Sequence, residues 1–229
     1  MERLLLMRLL LMRLQLNFGG QPAVFDPAPE DTECMSETLT PLALSITDTE
    51  APSVARALWT LEDARRRTLR AVAGLPDAAL EWTLPTDGHA IGTLLYHVAA
   101  TEMEWICLDL LGERGFAAPV AQLLDRGVRD VEGRLVPVRG ETLAGHLHRL
   151  AATREYSLTA LRGMSAREFR RPRPMALEVR TVTPEWVVHH LAQHEAEHRG
   201  QIVQIRRSVE RERSLRQAAG ERSAAADTR

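Results

Sequence analysis

The run His190-Leu191-Ala192-Gln193-His194-Glu195-Ala196-Glu197-His198-Arg199-Gly200-Gln201-Ile202 decides the fold, because it joins a helical period to a row of inward-facing imidazoles. It lies in a pattern with Val187, Leu191, Ile202 and Ile205 on one stripe, opened by Thr183 as N-cap and Pro184 at the first helical position. On an α-helix, positions four apart are separated by about 40° around the axis and about 6 Å along it, so His190, His194 and His198 form one ridge. The ridge overlaps the apolar stripe, which turns these imidazoles toward a protein interior. Neutral imidazoles buried together need partners for their nitrogens. A divalent ion is the economical partner, since two histidines at i and i+4 both reach an ion with metal–nitrogen distances of about 2.0–2.1 Å.

Working outward, three further helical patterns lie upstream. The first has Pro52 near its start, the apolar residues Val54, Leu58, Leu61 and Val72, and a stop at Gly74 and Pro76. A second follows Thr86-Asp87-Gly88 and carries Ile91, Leu94, Leu95, Val98, Trp105, Ile106 and Leu110 to Gly112. The third begins near Thr142, runs through Leu143, Leu147, Leu150, Leu158 and Leu161, and stops at Gly163. Together with the histidine helix they predict an all-α protein, a four-helix bundle over residues 50–215. An N-terminal extension at 1–49 and a tail at 216–229 are disordered in composition, and the last helix is expected to fray from about Ser208. Residues 113–140 form a long connection, in which Val131 to Val138 around Gly133 suit a short hairpin or a strap. No other segment has a strand pattern.

A metal held by His194 and His198 needs a ligand from a second helix. His97 is the natural one, mid-helix among Leu94, Leu95 and Val98. Three neutral histidines leave coordination positions open for water and substrate, as a catalytic site requires. His190 is a spare ligand or a donor to one, and His189 points about 100° away toward solvent. His89, His146 and His148 read as surface or capping residues. Glu104 and Glu195 are the nearest candidates for proton transfer or for orienting a ligand, weighed against solvated or packing charges. Histidine ligands suit zinc, nickel, iron and copper alike.

Composition removes other classes. The formal charge is only −2, with 29 basic and 31 acidic residues interspersed, so no basic face predicts a nucleic acid partner. Every basic residue is arginine, which excludes a catalytic lysine, a Schiff base or a P-loop. The two cysteines, Cys34 and Cys107, make neither a disulfide framework nor a CxxC clip, and the compartment reads as reducing and cytoplasmic. In the opening MERLLLMRLLLMRLQL, Arg3, Arg8 and Arg13 interrupt the apolar run, so neither a signal peptide nor stable membrane association is expected. Met35 is the expected natural start. A homodimer through the exposed helix sides is the one protein partner this reading admits.

Gly92-Thr93-Leu94-Leu95-Tyr96-His97-Val98, with Glu102 and Trp105 following, and the His-Glu-x-x-His-Arg-Gly-Gln-Ile run at 194–202 together resemble the DinB-like four-helix-bundle superfamily over roughly residues 50–208. The resemblance implies an up-down-down-up bundle with a metal triad at His97, His194 and His198. It also implies a small-molecule substrate and one of two chemistries, a metal-dependent hydrolase or an S-transferase using a low-molecular-weight thiol as cosubstrate. Two alternatives stand beside it. One is a non-enzymatic bundle with a structural or ligand-sensing metal. The other is a zincin metalloprotease, because His194-Glu195-Ala196-Glu197-His198 spells HExxH with Glu195 as general base. A zincin needs a downstream ligand, and only Glu210, Glu212, Glu221 and Asp227 follow.

Overall fold

The computed structural model describes residues 51–84, 88–116, 118, 120–176 and 180–227, with side chains as far as residue 219. The 1–49 extension, with Cys34 and the expected start at Met35, lies outside the described residues. Four long helices make the body: α1 (Pro52–Val72), α2 (Ile91–Met103, continued as a π-helical segment Glu104–Leu110), α4 (Leu143–Arg162) and α6 (Pro184–Asp227). Two single-turn helices, α3 (Val120–Leu123) and α5 (Ala166–Phe169), sit in the connections.

The helix ends follow the expected signals. Pro52 occupies the first turn of α1, which closes before Gly74 at φ 71°, a conformation that glycine adopts without strain. The Thr142 side chain accepts from the Gly145 amide at the start of α4, and Thr183 Oγ1 accepts from the Trp186 amide at the start of α6. Every residue of α2 from Ile91 to Met103 is buried, so this helix is wrapped by the rest of the protein.

Bonded pairs establish the topology. Arg65 of α1 bonds the Leu150 carbonyl and Arg154 bonds the Leu61 carbonyl, so α1 and α4 run antiparallel. Gly92 abuts His146 while Glu102 bonds Arg154, so α2 and α4 run parallel. Arg65 bonds Glu195 and Arg206 bonds the Ala71 carbonyl, so α1 and α6 are also parallel. The order is therefore up-down-down-up.

The apolar core is divided in two. One cluster gathers Val72, Leu80, Leu94, Leu95, Leu150, Ile202 and Ile205; the other gathers Leu58, Leu61, Ile106, Leu161, Phe169, Val187 and Leu191. Between them the bundle has a charged waist with one residue from each long helix: Arg65, Glu102, Arg154 and Glu195. Their contacts close a ring: Arg65–Glu102 at 2.7 Å, Glu102–Arg154 at 2.8 Å, Arg154–Glu195 at 2.9 Å and Glu195–Arg65 at 2.8 Å. Two charges of each sign cancel, and none of the four residues is more than 7 % exposed. Burial alone would raise the Glu102 carboxyl, but Arg154 and Arg65 hold it down to about 2.

Three features depart from the sequence reading. A two-stranded antiparallel ladder, β1 (Arg173–Pro174) with β2 (Thr181–Val182), leads into α6. Two residues per strand are too few to leave an alternating pattern. His146 is not a surface residue but is 1 % exposed, with Nδ1 3.0 Å from Arg149 Nη1. Finally, α6 continues as helix to Asp227 in place of the frayed, disordered tail read from composition. Arg206 ties it to the Ala71 and Ala73 carbonyls, Trp82 donates to Glu212, and i,i+4 pairs Arg206–Glu210 and Glu212–Arg216 lie along it.

Candidate metal centre

His97 projects from α2, and His194 and His198 project from successive turns of α6. Their ring centroids are 4.8, 4.8 and 4.4 Å apart, and one nitrogen from each lies within 4.8 Å of the other two. His97 and His194 are buried and His198 is partly so. His194 Nε2 sits 3.0 Å from both His97 Nε2 and His198 Nε2. Two nitrogens on a tetrahedral ion at about 2.0–2.1 Å lie roughly 3.3 Å apart, so the observed spacing suits a shared ion with little adjustment.

Proton accounting makes the same point. Gln201 Oε1 can only accept, so the 2.8 Å contact with His198 Nδ1 puts the proton there and leaves the Nε2 lone pair facing the cluster. A single proton on His194 Nε2 makes one linear hydrogen bond and leaves the second 3.0 Å contact without one. A cation shared by all three lone pairs satisfies every contact at once. Burial, followed by the neighbouring imidazoles and Arg129, holds His97 and His194 well below the ordinary histidine range. Burial also lowers His198, opposed by its bond to Gln201. All three rings are therefore neutral near pH 7, the form that ligates metal.

The surroundings brace the rings. Thr101 Oγ1 lies 3.3 Å from His97 Nδ1, one turn along α2, and Gln201 does the same work for His198 from three residues on. Neither was singled out in the sequence, although i+4 and i+3 spacing from a ligand was the available signal. His190 lies outside the ligand group. It stacks on Trp186 at 5.0 Å and 7°, and meets the edge of Trp105 at 4.9 Å. The π-helical segment beginning at Glu104 carries Trp105 to this aromatic group, and such widened turns recur at functional sites.

The two carboxylates read as proton-transfer candidates occupy different places. Glu195 is 2 % exposed, and both its oxygens bond arginines of the waist ring, so it does not stand where a zincin presents its base. Glu104 is half-buried and close enough to Arg129 for their charges to interact. His189, His89 and His148 are exposed, as expected. A shallow cleft of about 540 Å³ on the α1 side is lined by Glu62, Arg65, Arg66, Leu69, Arg70 and Arg154 and contains none of the histidines.

An up-down-down-up bundle with three converging neutral imidazoles defines the class: a helical protein with a candidate transition-metal centre. The chain belongs to the DinB superfamily, whose family model matches residues 60–202. No curated protein matches it. A similar solved structure is YfiT from Bacillus subtilis, described as a probable metal-dependent hydrolase with an unusual four-helix bundle topology. The two are 18 % identical with a TM-score of 0.48, over 68 % of this chain and 87 % of that one. Among the described residues no helix is long and apolar enough to cross a membrane.

Proposed function

We propose that this protein is a metal-dependent enzyme acting on a small molecule, with one divalent ion held by His97, His194 and His198. The observation that carries the reading is the convergence of three neutral imidazole nitrogens with no set of hydrogen bonds that satisfies them. Zinc, nickel and iron all suit this donor set. When bound, the ion supplies Lewis acidity, lowering the pKa of a water or a low-molecular-weight thiol at its open position.

The chain contributes the rest. Thr101 and Gln201 orient the rings so that their Nε2 atoms face inward, and the buried walls of α2 and α6 exclude bulk water from the buried side. Cys107 is buried on the π-helical segment and is not part of the histidine group, so a thiol used as nucleophile would be brought by a cosubstrate.

Metal content of the untagged protein tests the reading. One ion per chain is expected in the wild type, with loss in His97→Ala, His194→Ala and His198→Ala while helical circular dichroism persists. Unchanged stoichiometry in all three variants refutes the site. Turnover of a generic electrophile with a glutathione-like thiol, compared with ester or amide hydrolysis in its absence, then separates transferase from hydrolase.

A further inference from the structure

The connection between α2 and α4 returns across the helix that carries His97. Two contacts pin it there: the Tyr96 hydroxyl donates to the Arg126 carbonyl at 2.8 Å and accepts from its amide at 2.9 Å, and Thr93 Oγ1 accepts from the Val138 amide at 3.1 Å. Tyr96 precedes His97 and Thr93 lies one turn before it, so the strap is anchored at the histidine's own level. Arg129 lies between the two anchors.

Its backbone is set by a bridge to Leu135, across a turn at Gly133 with φ 82°, and its Nη1 donates to the Gly133 carbonyl at 2.6 Å. The side chain is half-buried, and its Nε is buried with no hydrogen-bond acceptor. A buried donor left unmet costs stability and calls for an explanation. Burial pulls this guanidinium below the ordinary arginine range against the nearby carboxylates of Glu104 and Asp130, and its charge reaches His97, His194 and His198.

Charge balance supplies the explanation. Three neutral histidines leave a divalent ion with its full charge, and Arg129 adds another within electrostatic reach of the rings, opposed by Glu104 and by Asp130, which is itself paired with Arg134. A centre this positive attracts an anion. We infer that Arg129 is a specificity-determining residue, which takes an oxyanion of the substrate, carboxylate or phosphate, through its Nε edge while the reacting group occupies the histidine centre. Because Nε is buried, the guanidinium must turn to meet the incoming oxygen, and its planar fork then pairs with the oxyanion in two parallel hydrogen bonds. The inference rests on the metal reading above and narrows it to small anionic substrates.

Hydroxamates test it, since the hydroxamate group chelates a zinc ion with open positions and a tail of chosen length then samples the rim. The zinc-loaded protein is titrated calorimetrically with hydroxamates bearing two to four methylenes and ending in carboxylate, phosphonate or methyl, and zinc stoichiometry is measured on each sample. At the best length an anionic tail should bind at least tenfold more tightly than the methyl tail. Arg129→Gln should abolish that advantage, read as the ratio of anionic-tail to methyl-tail affinity within the same variant, and Arg129→Lys, which keeps the charge without the fork, should retain part of it. Preference for the carboxylate or the phosphonate tail identifies the oxyanion. No advantage at any length, or one that survives in Arg129→Gln, overturns the inference. Failure of the wild type to bind zinc, nickel or iron overturns the metal reading itself, and this inference with it, and the stoichiometry separates the two failures.

Discussion

At the scale of single residues, the chemistry of the centre depends on which nitrogen of each imidazole carries a proton, and that is set by two neighbours on the same helices. Thr101 is within 3.3 Å of His97 Nδ1, and Gln201 accepts from His198 Nδ1. Losing such an orienting partner commonly costs 10–100-fold in metal affinity. Thr101→Val and Gln201→Ala are each expected to weaken zinc binding by about that factor, measured by competition with a chromophoric chelator, while thermal stability changes little in Gln201→Ala because Gln201 is exposed. His194 and His198 were legible in the sequence because i,i+4 spacing within one helix is a local fact. Arg129 was not, since its relation to them depends on how a connection of nearly thirty residues folds back.

At the scale of helices, close approach is purchased with glycine at one point. A Cβ at position 92 would lie 3.0 Å from His146 Nε2 and 3.4 Å from the Leu80 carbonyl. His146 cannot swing away easily, because Arg149 bonds its Nδ1 and is itself held by the Leu123 carbonyl and Glu141. Gly92→Ala is therefore expected to destabilise the protein by about 1–3 kcal/mol despite alanine's better helix propensity, read from the urea midpoint. His146 itself confers a pH dependence. Burial, then Arg149, lowers its pKa to about 4, against about 6.5 in the unfolded chain. Between these values the unfolded state binds the proton that the folded state refuses, so stability falls as pH drops from about 6.5 to 4, by up to about 3 kcal/mol. Urea unfolding at pH 7 and pH 5 should show the loss, and His146→Gln should reduce it, leaving the part contributed by the lowered His97, His194 and His198. The sequence reading puts His146 at the surface or a helix cap, and only α2 packing parallel beside α4 buries the ring.

At the scale of the whole molecule, the bundle is two apolar clusters joined by a ring of four buried charges. Such rings are poor evidence for stability, because desolvation consumes most of the Coulombic gain, yet breaking one partner leaves a buried charge uncompensated. Glu102→Gln is accordingly expected to cost about 3–5 kcal/mol by chemical denaturation, far more than an exposed pair such as Arg216–Glu212. Because each helix supplies one member, the ring also favours a single register of the four helices. Helix number, the helix starts, the ends of the first three long helices and two of the three candidate ligands followed from the amino-acid order alone, because periodicity, caps and i,i+4 spacing act within a few residues of chain. Only the tertiary structure decided that His97 meets the other two, that Glu195 of the HExxH run joins the arginine ring, and that the strap carrying Arg129 is pinned to the helix of His97. Those outcomes depend on which helix faces run side by side, a relation between segments 30 to 130 residues apart that no local pattern encodes.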